Sequence, residues 1–288
     1  MAADLALWAA MGAGHVALLL LGLLWASEAP LRKGWRFTFP ATMGDVRPLL
    51  PFFALYWGII AVHLVGVQLD PWVTAQVGHD YARDVFGVEG DAVRVFQAVR
   101  FPLLDAALFG AYLLGYVFMI YFAPCFYLLH RDVRALRLAA FSFGVLYALT
   151  LPFYLFVPIS NPWAVVTQAW YIGQPVAFRL AELGPDLVRS YWQFTSPNNE
   201  LPSLHAAISM LTCLVAWKAG YRRWAQLAAV FAVAIPLASF AMGVHWLLDA
   251  VVGELFAVVA VVAGTRLAAR TSAAAAAPAP VPAPRAPG

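Results

Sequence analysis

Charge is what this sequence has least of. Of 288 residues only 11% are Asp, Glu, Lys or Arg, while 63% are hydrophobic; a soluble domain carries about 25% charged residues. So little charge excludes an ordinary water-soluble surface. The net charge is +3 and the 18 basic residues fall in short scattered clusters, which leaves nothing for a nucleic-acid footprint to rest on. Cysteine is scarce too. Cys125 and Cys213 both lie inside apolar blocks, with no spacing that suggests a disulfide or a metal site, and they read as small core residues. No basic residue precedes the first apolar block, and that block ends in Glu28, Pro30, Arg32 and Lys33. This pattern predicts a retained span instead of a signal peptide.

What is present is a series of apolar blocks near the length of about 20 residues that crosses a bilayer core as a helix. They fall at roughly 4–25, 48–69, 101–129, 138–159, 203–219, 225–243 and 246–268. The expected fold is all-α, a polytopic helical bundle of about seven spans filling residues 1–270. The stretch 271–288 is rich in Ala and Pro, with Pro278, Pro280, Pro282, Pro284 and Pro287, and is expected to be a disordered tail. Residues 70–100 mix Val85, Val88, Val93, Phe96 and Val99 with charges, as an interfacial amphipathic helix would.

Basic residues near span ends favour the cytoplasmic side. Alternate loops hold thirteen of them: Arg32, Lys33, Arg36, Arg47, Arg131, Arg134, Arg137, Lys218, Arg222, Arg223, Arg266, Arg270 and Arg285. The other loops hold Arg83, Arg94, Arg100, Arg179 and Arg189. The expected orientation therefore places the N-terminus outside, the C-terminus in the cytoplasm, and segments 70–100 and 160–202 on the outer face.

Two stretches carry chemistry. Asn198-Asn199-Glu200-Leu201-Pro202-Ser203-Leu204-His205 closes the second outer segment and opens the fifth span. Pro202 suits a first helical turn, so free backbone N–H groups, the Ser203 hydroxyl and His205 would meet at the outer interface as an anion site; the plainer alternative is a helix start with a histidine at headgroup level. The second stretch, Gly243 to Gly253, contains His245 and Asp249. Four residues apart on a helix, they share a face, and the carboxylate can accept a hydrogen bond from the imidazole. The alternative there is a structural His–Asp pair at a helix end. Topology favours chemistry for both, because the charge asymmetry alone brings His205, His245 and Asp249 to one membrane surface. A nucleophile, its orienting acid and a general acid would then be together.

Pro202-Ser203-Leu204-His205, followed forty residues later by His245-x-x-x-Asp249, resembles the second and third signature motifs of the type 2 phosphatidic acid phosphatase superfamily. The Pro-Ser-Leu-His form and the upstream Val157-Pro158-Ile159-Ser160-Asn161-Pro162-Trp163 resemble its inositol phosphorylceramide synthase branch. The resemblance implies a six-helix phosphatase-like core with the first span added, and a metal-independent enzyme without cofactor acting on a lipid phosphate. It implies His245 as the phosphorylated nucleophile, Asp249 as its orienting acid and His205 as the donor of a proton to the leaving group. Ser203, with Asn199 nearby, would hold the phosphate. Two departures stand out. Ser239 occupies the place of the third motif's usual arginine, and the first motif survives only as a distorted echo in Arg94 and Arg100-Phe101-Pro102. Arg100, with Arg179 and Arg189 behind it, is the expected source of the missing positive charge; each alternatively snorkels to the headgroups.

Other buried polar residues have their own readings. His15 and His63 could ligate a haem in an electron-transfer protein or serve as relay groups in a transporter. Asp105 is placed to pair with Arg100, and Glu254 to support Asp249 or pack helices. Trp72, Trp163, Trp170, Tyr171, Tyr191 and Trp192 read as an aromatic belt, those from 163 to 192 alternatively as the lining of a lipid-access groove.

Overall fold

A computed structural model describes residues 2–26, 46–196 and 198–276. Numbered along these residues, the helices are α1 (Ala2–Ala26), α2 (Leu50–Val77), α3 (Ala82–Glu89), α4 (Ala92–Ala98), α5 (Pro102–Leu129), α6 (Val133–Phe156), α7 (Pro185–Tyr191), α8 (Leu204–Ala219), α9 (Arg222–Met242) and α10 (Leu247–Ala276). No strand occurs among the described residues, only one isolated bridge between Ile159 and Asn199. Six helices (α1, α2, α5, α6, α9 and α10) are long and apolar enough to cross a membrane. The seventh apolar helix, α8, is shorter at 16 residues. The protein is thus an all-helical, multi-pass membrane bundle.

The packing explains why α8 needs no great length. It is surrounded by α6, α9 and α10, and Ala206, Ala207, Ile208, Leu211, Val215 and Ala216 are buried. Small residues let the backbones approach closely where lipid offers no hydrophobic drive between helices. Gly253 of α10 lies against the Ser203 backbone, where an added Cβ would stand 2.4 Å from the Ser203 carbonyl oxygen. The outer helices are different: α1 packs on α5 and α9, α2 mainly on α6, and both keep Leu21, Leu24, Val62 and Leu69 exposed, as suits faces turned to hydrocarbon.

Three expectations shift. The amphipathic segment 70–100 is not one helix: α2 runs on through Pro71 to Val77, and α3 and α4 follow, separated at Gly90, whose φ of 57° turns the chain. Val85 and Val93 are buried beneath them. The fourth span begins at Val133, earlier than 138, because Asp132 caps it by accepting from the Ala135 N–H at 2.9 Å. At the other end α10 passes the expected limit of 270 and reaches Ala276, since alanines extend a helix and the first proline comes only at 278. The rest of the tail, 277–288, lies outside the described residues, as do Arg32, Lys33 and Arg36.

Candidate active site

Four segments converge where α8 and α10 begin. Gly243 ends α9 with φ +75°, and a Cβ there would lie 2.4 Å from the Ala177 carbonyl oxygen. Glycine alone fits that combination of left-handed backbone and close approach. The chain then crosses to α10 through Val244, His245 and Trp246, strapped from every side. Trp163 N donates to Gly243 O (3.3 Å), Asn161 Nδ2 to Val244 O (2.8 Å) and Trp246 Nε1 to Ser160 O (2.9 Å). The first N–H groups of α10 are also taken. Leu247 and Leu248 donate to Glu89 of α3, at 2.9 and 2.6 Å, and Trp246 N donates to Asp249 Oδ2 at 2.9 Å. Carboxylates suit this positive helix end.

His245, only 4% exposed, sits with a carboxylate on one side and a second histidine on the other. Its Nδ1 is 2.7 Å from Glu200 Oε2 and 3.4 Å from Asp249 Oδ2. Its Nε2 is 3.0 Å from Nδ1 of His205. Glu200, 3% exposed, is carried in by the bridge between Ile159 and Asn199 and fixed by Asn161 Nδ2, which donates to its other oxygen. Sequence spacing assigns the role of orienting acid to Asp249; in the folded chain the nearer carboxylate is Glu200, and Asp249 also caps Trp246. The sequence reading overlooked Glu200. The signal was present, an acid two residues before Pro202, but the pairing that aims it is long-range.

His205 projects from the first turn of α8. Tyr112 stacks on it at 4.6 Å between ring centroids and 20°, and Tyr116 lies 4.2 Å away. Both tyrosines come from α5, where a π turn, Ala111–Gly115, interrupts the helix. Such turns often mark functional positions. The Tyr112 hydroxyl lies 3.1 Å from that of Tyr191, which turns part of the expected aromatic belt inward.

Electrostatics follow from these contacts. Burial opposes a charge on His245, yet the Glu200 and Asp249 carboxylates outweigh it and hold the imidazole above the ordinary histidine range. Burial raises the Glu200 carboxyl, against the lowering pull of His245. With Nδ1–H committed to the carboxylates, the Nε2 of a neutral His245 carries the lone pair, and it faces His205.

The remaining expected site residues divide. Asn199 lines the cavity in front of the histidines. Ser203 is buried, and its hydroxyl caps α8 by accepting from Ala206 N at 3.3 Å. Arg100 joins Glu182 (2.8 Å) and Asp105 (3.4 Å), the latter as expected, and the buried Arg179 joins Asp105 (2.8 Å) and Glu182 (3.2 Å). Arg189 pairs with Asp186 at 2.7 Å on the surface. Arg94 donates to the Pro175 carbonyl at 2.6 Å. Ser239 is buried and donates to Pro236 O at 2.7 Å. None of the four arginines lines the cavity. His15 and His63 pack edge-on against Tyr121 and Tyr147, on different helices.

The cavity measures about 250 Å3 and is walled by apolar and aromatic residues of α1, α2, α5 and α7, among them Met11, Val67, Val117 and Leu187, and by Phe194 just beyond α7. Among the described residues no lysine or arginine borders it. Glu200, His245 and Asp249 present ligand atoms within 4.8 Å of one another, so the same three could in principle hold a cation, although they already hydrogen-bond among themselves.

Comparison with known proteins bears on this arrangement. The model of the PAP2 superfamily matches residues 86–263, well over half of the chain and every residue of the His205–His245–Glu200–Asp249 cluster. An uncharacterized protein of Methanocaldococcus jannaschii is 30% identical over 105 residues, which is 36% of this chain and 39% of the relative. The match therefore spans well under half of that relative's length. No solved structure matches.

Proposed function

The chain belongs to the PAP2 superfamily, and from that premise we propose a membrane-embedded lipid phosphatase or phosphotransferase that works through a phosphohistidine on His245 at the extracytoplasmic face. The observation that carries this reading is the direct contact of the two histidines, His205 Nδ1 to His245 Nε2 at 3.0 Å, backed by Glu200 and opening on an apolar cavity. One proton shared across that contact arms both groups. When it passes from His245 Nε2 to His205 Nδ1, the first gains a lone pair for attack and the second becomes a charged acid.

The proposed steps are these. Nε2 of His245 bonds to phosphorus, the bond from phosphorus to the leaving oxygen breaks, and that oxygen takes the proton from His205. In the second half-reaction an incoming oxygen bonds to phosphorus, the phosphorus–Nε2 bond breaks, and His205 receives the incoming group's proton. Nδ1–H of His245 stays on Glu200 throughout, which stabilises the positive charge of the phosphorylated ring.

Positive charge is otherwise short in this site. With no lysine or arginine on the cavity among the described residues, a dianionic phosphomonoester would enter a low-dielectric space against two carboxylates. A singly charged phosphodiester meets less opposition. This supports transfer of a phosphate-linked headgroup over release of inorganic phosphate, and agrees with the synthase-like form of Pro202-Ser203-Leu204-His205.

The test is trapping. Purified protein mixed with a phospholipid labelled at its phosphorus and quenched in alkali should carry an acid-labile label on His245. The label and turnover should both vanish in His245→Ala, vanadate should inhibit, and a chelator should not. Full turnover in His245→Ala would refute the mechanism, and loss of activity on chelation would instead favour a cation held by Glu200, His245 and Asp249.

A further inference from the structure

A second cavity, about 470 Å3, opens beside the first between α2 and α6. The two meet at His63, Val67, Tyr154 and Asn199, which line both. Beyond this junction the second cavity is walled by Leu55, Val62 and Leu151, and those same residues keep exposed surface on the outer side of the bundle. In a bilayer that side faces hydrocarbon. One end of the cavity thus opens to lipid tails, and the other ends at Asp70 and the junction with the first cavity, which His205 and His245 line.

The polar end differs in kind from the phosphate side. Asp70 is 1% exposed. Its carboxylate accepts from the hydroxyls of Ser196 and, at 3.4 Å, Thr74, and Asn199 lines the cavity beside it; among the described residues no ion pair engages it. Asn199 keeps its amide oxygen buried, with no donor to it among the described residues. The nearby hydroxyls are committed, Tyr154 donating to Pro202 O at 2.7 Å and Thr150 to Tyr147 O at 3.2 Å. A carboxylate with no counter-ion and a carbonyl with no donor suit a ligand that brings O–H groups. They oppose a phosphate, which is anionic and only accepts.

We propose that the α2–α6 cavity holds the acceptor of the second half-reaction, a long-chain lipid alcohol whose hydroxyl lies at Asp70 and Asn199 and whose chain runs out between α2 and α6. The inference rests on the phosphohistidine reading of the same site and decides its open term, alcohol over water. In that step the alcohol oxygen bonds to phosphorus, the phosphorus–Nε2 bond of His245 breaks, and the hydroxyl proton passes to His205. The donor lipid occupies the first cavity, so the two lipids approach the histidines from different sides of α2.

Binding is measured apart from turnover. The probe is hexadecanol carrying a mid-chain diazirine, irradiated with the full-length protein in lipid nanodiscs. Labels are expected on peptides from residues 50–77 and 133–156. A roughly tenfold excess of hexadecanol should cut labelling roughly tenfold by mass action, while hexadecyl phosphate should not compete. Labelling should persist in His245→Ala, and in Asp70→Asn hexadecyl phosphate should begin to compete. Gly66 lines this cavity and an added Cβ there meets no atom within 4 Å, so Gly66→Leu should fill the space and lower labelling without a change in melting temperature. In parallel, a labelled phosphodiester lipid with hexadecanol should yield the hexadecyl phosphodiester.

Equal competition by alcohol and phosphate in the wild type, or labels elsewhere, would overturn the site. Release of the retained group as its phosphomonoester with no transfer product, despite correct labelling, would overturn the acceptor role and leave the phosphohistidine reading intact. Correct labelling with no His245-dependent turnover of any donor would do the reverse, removing the reaction and leaving a lipid-alcohol site.

Discussion

Replacing Glu200 by Gln keeps the size of the side chain and removes its charge at a point 2.7 Å from His245 Nδ1. A hydrogen bond to a charged group contributes about 1.5–3 kcal/mol, and about 1.4 kcal/mol is tenfold in rate. The expected loss in kcat at neutral pH is therefore about 10- to 150-fold. The same energy appears in the pH profile. Glu200 raises the pKa of His245, so its removal lowers that pKa, and the histidine pair gives up its shared proton at lower pH. The alkaline limb of kcat should accordingly move to lower pH by roughly one to two units. Asp249→Asn should cost less, because its contact with His245 is 3.4 Å and an amide oxygen can still cap Trp246 N. The assay is steady-state turnover of a phosphodiester lipid in detergent across pH for wild type and both variants. An unmoved or upward-moved alkaline limb in Glu200→Gln, or a collapse in Asp249→Asn beside near-normal Glu200→Gln, would refute the assignment of Glu200 as the principal partner.

Two further outcomes follow from geometry. Arg179→Met removes the buried member of an ion-pair cluster in which Arg100 still neutralises Asp105 and Glu182, so melting temperature should fall, with a cost of at most about 3 kcal/mol, while the KM for the lipid stays unchanged; a raised KM at unchanged melting temperature would make Arg179 a phosphate ligand. Gly243→Ala forces a side chain into left-handed backbone, at about 1–2 kcal/mol, and toward the Ala177 carbonyl, and should lower the melting temperature in detergent more than Gly66→Leu, whose site is open.

Much of this was legible in the sequence because membranes simplify the code. Apolar block lengths predict α1, α2, α5, α6, α9 and α10 to within a few residues at most ends, and the fixed spacing of Pro202-Ser203-Leu204-His205 and His245-x-x-x-Asp249 brings the two histidines together. What escaped was whatever depends on contacts between distant segments. Glu200 reads as a loop acid until Ile159 and Asn199 pair; Glu89, in a segment expected to be amphipathic, turns out to cap α10. The arginines show the opposite failure. Charge complementarity called for a cation near the phosphate, but Asp105 and Glu182 lie close enough in sequence and space to claim Arg100 and Arg179 first.

The 3.0 Å contact between His205 and His245 leaves no room for a phosphorus atom between them. On the proposed mechanism the two rings must part before phosphorus is attacked, and the energy for that would come from binding the rest of the lipid. Chain contacts along the apolar cavity would then lower the barrier as well as raise affinity. A water-soluble headgroup fragment would bind without parting the histidines, and would be slow however high its concentration. On the phosphohistidine reading proposed above, a primed histidine would thereby be kept from small phosphates in the aqueous phase, and selectivity for a lipid would come from the work of opening.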